Sequence, residues 1–161
     1  MVEPNELALS LLPGRHIATL ATQRADGSIH LAAIWYLYKD GRLYFPTSAK
    51  SQKARNVAAN PRASAMIDSR VPGQEQGVSV SGAAEVIGGE QGRVLVAEVQ
   101  SRYLTAVALA DPRVGPVYAA FDDVVIALTP ARWVTWDIAR MNSEQFEGLL
   151  GVETGYLYPL D

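Results

Sequence analysis

The sequence predicts a mainly β protein: a small antiparallel barrel of six or seven strands, with helices flanking its ends. Three observations carry this reading. Short segments with the alternation of half-buried strands recur at close spacing along most of the chain. Tight-turn signals separate several of them, Asp26-Gly27 and Asp40-Gly41 among these. No Gly-rich phosphate motif follows a strand and no βαβ rhythm is present, which disfavours a dinucleotide-binding Rossmann fold.

The elements follow in order. Residues 3–12 place Leu7, Leu11 and Leu12 at helical spacing, and Pro13-Gly14 stops the helix. Residues 15–23 form the first strand, with Ile17, Leu20 and Thr22 as packing positions. The turn at 25–28 leads into a second strand over 29–38, and Lys39-Asp40-Gly41 leads into a third ending at Thr47. Turns this short impose an antiparallel meander, because parallel neighbours need long crossovers. Residues 62–68 make a fourth strand, and 77–87 show the most regular alternation in the chain.

Residues 90–109 carry a helical pattern despite several β-branched side chains, and 111–121 form a Pro- and Gly-broken connector. Asp122-Asp123 reads as a strand-entry turn. Residues 123–138 read as two strands meeting at Thr129-Pro130. A weak amphipathic stretch at 143–150 and a tail with Tyr156 and Tyr158 follow. The whole, 1–161, is expected to be one domain, with its core at about 5–140 and a C-terminal extension at 141–161.

Composition narrows the function. The 161 residues are 48% hydrophobic and 19% charged, a globular balance. The net charge of −3 argues against general nucleic-acid binding, which needs a basic excess or stripe. There is no cysteine, so disulfides, thiolate nucleophiles and cysteine metal sites are excluded. Two histidines, His16 and His30, cannot build a multi-histidine metal site within one chain. Neither a signal peptide nor an uninterrupted apolar span is visible, so a cytoplasmic protein without membrane contact is expected.

The chemistry concentrates in residues 43–68, LYFPTSAKSQKARNVAANPRASAMID. A strand ends at Pro46 and Thr47. Ser48, Lys50, Ser51, Lys53 and Arg55 then crowd into one loop and one helical turn before Asn60-Pro61 ends the helix. Hydroxyls and cations at a helix start suit a phosphate, because free N–H groups and the helix dipole favour an anion there. A solvated, N-capped basic helix has the same composition, and both readings stand at this point. An acidic chain with one local basic cluster fits a small phosphorylated ligand better than a polynucleotide.

The order of these segments resembles that of the pyridoxamine 5′-phosphate oxidase-like family, the flavin-binding split β-barrels. TSAKSQKARNVAANPRAS (47–64) resembles the family's phosphate loop and its Asn-Pro-Arg stop. ATLATQRADGSIHLAAIWY (18–36) resembles its opening hairpin, VSVSGAAEV (78–86) its long central strand, and VVIALTPARWVTWDI (124–138) its closing strands.

The resemblance implies a homodimer with a flavin-type cofactor at the subunit interface. FMN is the first candidate, and the deazaflavin F-420, whose acidic tail would want Lys50, Arg55 and Arg62, is the second. Thr47, Ser51 and Lys53 fall where the family holds the cofactor phosphate, with Pro46, Ser48, Lys50 and Arg55 around them. His30, Ala32, Ile34 and Trp35 would run beside the ring, and Trp133 or Trp136 would cover it or line the interface. Gln52 stands where the vitamin B6 oxidases keep an arginine, and their substrate-binding C-terminal segment is absent, so pyridoxamine phosphate is not the expected substrate.

The activity implied is hydride transfer to or from a small planar organic substrate, with no side-chain nucleophile and no catalytic residue required. A flavin- or heme-binding module without turnover is the alternative on the same fold. His30 suits a ring donor or an ordinary strand histidine. Trp35, Tyr36 and Tyr38 suit an aromatic wall or plain barrel packing.

Overall fold

The computed structural model describes residues 3–121 and 123–159, so Asp122 of the expected strand-entry turn lies outside the described residues. Seven strands form one antiparallel sheet: β1 (Ala18–Gln23), β2 (Ile29–Ile34), β3 (Leu37–Lys39), β4 (Arg42–Ser48), β5 (Arg62–Ser69), β6 (Gln76–Ile87) and β7 (Asp123–Asp137). Among the described residues, six helices flank it: α1 (Glu6–Leu11), α2 (Gln52–Ala59), α3 (Gly89–Tyr103), α4 (Ala106–Ala110), α5 (Gly115–Ala119) and α6 (Ile138–Phe146).

The sheet order β2-β1-β5-β6-β7-β4-β3 puts β2 and β3 on opposite edges. Only Trp35 and Tyr36 separate those two strands in the chain. Two residues cannot span a flat sheet of seven strands at about 4.8 Å spacing, so the sheet curls until its edges meet at the Trp35-Tyr36 step. This is the expected barrel, and it corrects two details. The segment 29–38 is two strands rather than one. The first three strands are not a continuous meander either, since β2 pairs with β1 while β3 opens a second hairpin with β4.

The inner core gathers Leu20, Tyr36, Leu43, Phe45, Ile67, Val78, Val80, Ile126 and Leu128, all buried. A second cluster lies on the outside of β4 and β7, where Leu95, Val96 and Val99 of α3 cover Tyr44, Val125 and Ala127. Both faces of these two strands are thus dry. That is why Leu43-Tyr44-Phe45 and Val125 to Leu128 are continuous apolar runs without alternation. Burying each of the three α3 side chains contributes about 1.5–3 kcal/mol.

Three further expectations change. The segment 90–109 is broken, because Thr105 caps a new helix by accepting from the Ala108 amide, which separates α4 from α3. Residues 123–137 are one strand, not two. Its register shifts against β6 between Ser81 and Gly82, so that Gly82 faces Pro130 and Ser81 faces Arg132. Pro130 lacks the N–H that a regular ladder would use, and the chain absorbs it as a bulge. Ile17 precedes β1 and is 48% exposed, while Leu20 and Thr22 pack inward as expected. Among the described residues, no helix is long and apolar enough to cross a membrane.

Candidate functional site

The phosphate-loop residues come together where β4 runs into α2. Ser51 is the N-cap of α2, in extended conformation, and its Oγ accepts from the Ala54 amide at 3.2 Å. The buried Thr47 hydroxyl donates to the same Oγ at 3.0 Å. With both lone pairs of Ser51 Oγ engaged, its own hydroxyl proton is the group left to donate outward. Ser48 closes the loop beneath by accepting from the Lys50 amide, and the Ser51 amide donates to the Ser48 carbonyl at 2.9 Å.

Lys53 is half-buried, and its ammonium makes no hydrogen bond to any described residue. Burial lowers its pKa from the ordinary lysine value, and the nearby Asp123 carboxylate opposes that shift. A half-buried cation and a hydroxyl donor in the first turn of a helix are the chemistry that suits an anionic group.

Arg55 and Gln52 serve the loop itself. Arg55 Nη1 donates to the Lys50 carbonyl at 2.5 Å, and its Nη2 donates to Gln52 Oε1 at 3.0 Å. Gln52 Nε2 donates to Asn56 Oδ1 at 2.7 Å, and Asn56 Nδ2 donates to Thr22 Oγ1 at 3.0 Å, both Asn56 and Thr22 being buried. Gln52, the departure from the oxidase pattern, is therefore a link in a chain that anchors α2 to β1. The sequence contained this signal only as an Asn on the inner face of a short helix, which is too common a pattern to read.

An apolar concavity of about 390 Å³ adjoins the loop, lined by Ile17, Ala33, Ile34, Trp35 and Pro46. Pro46 belongs to it and Thr47, the next residue, belongs to the loop, so β4 joins the two. Ile17 and Ala33 are the residues that sequence reasoning missed as lining. The alternation of 15–23 makes Ile17 a packing position, yet it is exposed, and Ala33 stands on the exposed side of β2. A broader groove of about 630 Å³ lies at the ends of β1, β5 and β6, with Arg62 and Asn60 on its rim. It is larger but holds none of the residues 46–55. The chemistry, not the size, selects the smaller one.

The remaining site residues distribute as follows. Ala32 alternates with its neighbours toward the inner side of β2. His30 faces Thr22 across the β1–β2 pair, and its Nδ1 is buried without a hydrogen-bond partner. Trp35 lines the concavity with its indole parallel to the Tyr103 ring, centroids 4.9 Å apart and planes 2° apart. Tyr36 turns inward instead. It is fully buried, its hydroxyl contacts the Leu12 and Gly14 carbonyls, and desolvation pushes its pKa up to about 12. Trp133 packs against the inner core with its ring edge-on to Tyr38 at 6.1 Å. Ile34, Trp35 and Pro46 thus line the concavity, Thr47 and Ser51 are joined in the loop next to it along β4, and Trp133 lies against the inner core.

A curled seven-stranded antiparallel sheet with flanking helices defines a protein of the split-barrel class. The chain belongs to the pyridoxamine 5′-phosphate oxidase family, whose model matches residues 5–137. Among solved structures it is similar to the conserved hypothetical protein Rv2991 from Mycobacterium tuberculosis, at 28% identity and a TM-score of 0.71, covering 88% of this chain and 89% of that one. It is similar to an F-420 reductase at 27% identity and a TM-score of 0.64, covering 82% of this chain and 98% of that one. A FAD-binding protein from Mesorhizobium loti shares the fold at 21% identity and a TM-score of 0.61, covering 82% and 94%. No curated protein matches the chain.

Proposed function

We propose that this protein is an oxidoreductase that holds a flavin-type cofactor by its phosphate in the Thr47–Lys53 cradle and sets the ring against the Ile34–Trp35–Pro46 concavity. The observation that carries the proposal is Lys53: a half-buried ammonium without a hydrogen-bond partner among the described residues, beside a Ser51 hydroxyl whose proton is free to donate. The residues fit such a group. Ser51 would donate to the phosphate, Lys53 would offset its charge, and the free amides of the first turn of α2 would complete the contact. The bound cofactor supplies the hydride chemistry, and the chain positions it and keeps its ring face dry.

The charge of the cradle favours the deazaflavin F-420 over FMN. A phosphate monoester such as that of FMN carries nearly two charges at neutral pH, whereas F-420 carries its phosphate as a diester with one. The cradle offers one semi-buried cation, because Gln52 replaces a second and Arg55 is turned back onto the loop. Lys50 at the loop surface is then available to the acidic tail. The resemblance to an F-420 reductase over nearly all of that protein's length supports the same choice.

The proposal includes a homodimer. Ile29 and Leu31 project from the outer face of β2, Leu31 being 63% exposed, and Val134 projects from β7. Between them the strand register sets the small side chains Ala21, Ser64, Ser79 and Ser81 on one surface. Small residues flanked by exposed aliphatics suit close approach of a second copy. Light scattering at micromolar concentration should give a dimer, and a monomer would count against it. Titration of the purified protein with FMN and with F-420, followed by the cofactor absorbance, tests the cofactor choice. Tighter binding of F-420 is expected. Binding of neither, or a heme band with the histidine-ligated iron signature, would overturn the reading in favour of a different ligand.

A further inference from the structure

We propose that Tyr103, the last residue of α3, is a positioning residue for the ring site: it fixes Ile17 and Trp35, two residues that line the concavity, without lining it itself. This rests on the concavity being the seat of a cofactor ring.

The Tyr103 hydroxyl makes two hydrogen bonds to the backbone. It donates to the His16 carbonyl at 2.7 Å and accepts from the Tyr36 amide at 3.3 Å. The His16 carbonyl belongs to the planar peptide group that enters Ile17, and the Tyr36 amide to the one that leaves Trp35. A single oxygen, used as donor and acceptor at once, therefore joins the chain before β1 to the step between β2 and β3. The ring of Tyr103 acts on the same residue. Its plane lies 2° from that of the Trp35 indole, with centroids 4.9 Å apart, so one indole face rests on the phenol. Tyr118 also stacks on Trp35, at 6.4 Å, but it sits on the short α5, which has no buried side chain. The fixed wall is Tyr103.

Tyr103 is itself held in place. Arg102, just before it, donates from Nη2 to the Leu12 and Pro13 carbonyls at 3.1 and 2.8 Å and also to the Gly14 carbonyl. Its guanidinium lies 5.3 Å from the centre of the buried Tyr36 ring and 5.8 Å from that of Tyr103. Arg15 Nε donates to the Arg102 carbonyl at 2.7 Å. The last turn of α3 is thus pinned to the segment 12–16, and through Tyr103 to the seam of the barrel. A flat ring packed beside Trp35 needs the indole in one place, because a gap of about 0.5–1 Å already forfeits a quarter to a half of the attraction at a contact.

Tyr103→Phe removes the hydroxyl and keeps the ring, which makes it the test. The probes are FMN with riboflavin, and F-420 with its phosphate-free ring-and-ribityl compound, each titrated into the full chain as parent, Tyr103→Phe and Lys53→Gln. Tyr103→Phe should weaken both members of the bound pair about tenfold, whereas Lys53→Gln should weaken only the phosphate-bearing member. In the cofactor-free protein, acrylamide quenching of the Trp35 fluorescence, isolated by difference against Trp35→Phe, should rise in Tyr103→Phe. Parent-like quenching there overturns the positioning role. So does a lowered melting temperature with parent-like affinity for the phosphate-free compound, which is what a purely structural bond gives. A parent that binds none of the four compounds overturns the flavin reading alone, and the quenching result then decides the role of Tyr103 by itself.

Discussion

The Thr47 hydroxyl donates to Ser51 Oγ at 3.0 Å, so the last inward residue of β4 holds the N-cap of α2 directly. This bond ties the end of the strand directly to the start of the helix. It also gives Ser51 two roles that can be separated, since it caps the helix through one set of contacts and presents its proton through another.

Ser51→Ala removes both roles and should cost about 1 kcal/mol of stability, the usual value of an N-cap, together with most of the cofactor affinity. Ser51→Asp keeps a good cap but places a negative charge in the anion site. Thermal denaturation should therefore show Ser51→Asp close to the parent, while cofactor titration shows it to be the poorer binder of the two. An Asp variant that binds as well as the parent would remove Ser51 from the site.

The lowered pKa of Lys53 has a sign that can be followed. Between that lowered value and the ordinary lysine value of 10.5, the unfolded chain binds more protons than the folded one. The stability of the cofactor-free protein should thus rise with pH across that window. Cofactor affinity should fall over the same window, because the anion needs the charged ammonium. Lys53→Met should flatten both dependences, and urea denaturation and cofactor titration at stepped alkaline pH measure them.

At the β6–β7 bulge, a Cβ on Gly82 would lie 1.9 Å from the Thr129 carbonyl oxygen and 3.0 Å from the Ala131 amide nitrogen. Both obstacles are backbone, so neither can swing aside. Gly82→Ala should cost about 1–3 kcal/mol or more, measured as a shift of the denaturation midpoint. A neutral substitution would mean that the two strands are less tightly coupled than their register indicates.

The C-terminal segment is tied down by one side chain. Buried Asn142 on α6 donates from Nδ2 to the Gly73 and Leu150 carbonyls at 3.1 and 2.7 Å, and its Oδ1 accepts from the Leu150 amide at 2.9 Å. Asn142→Ala should cost about 1–3 kcal/mol by orphaning these groups. Limited proteolysis should then cut residues 147–159 faster than in the parent.

The legible parts of this fold were those governed by local rules. Asp26-Gly27 and Asp40-Gly41 marked their hairpins, Asn60-Pro61 marked the end of α2, and the alternation of 77–87 marked β6. The errors arose where distant partners decide. Trp35-Tyr36 looks like strand interior, but there the chain leaves one sheet edge for the other, which only the closure of the barrel dictates. Thr129-Pro130 looks like a break, but Gly82 on the neighbouring strand makes room for a bulge. At the site, residue type and crowding mark the stretch 46–55 as a whole, and only the family resemblance singles out Thr47, Ser51 and Lys53 within it. They did not reveal that Arg55 and Gln52 are turned onto the loop, since hydrogen-bond direction depends on Asn56 and on Thr22, a residue of β1.

The most direct test of the account is titration of F-420 and FMN into the parent and into Lys53→Gln, which keeps a polar side chain but removes the charge. The account predicts tighter F-420 than FMN binding in the parent and a loss of about tenfold or more in Lys53→Gln for both. Equal affinity of parent and variant for the two cofactors would contradict it, because the one semi-buried cation of the cradle would then contribute nothing to holding the phosphate.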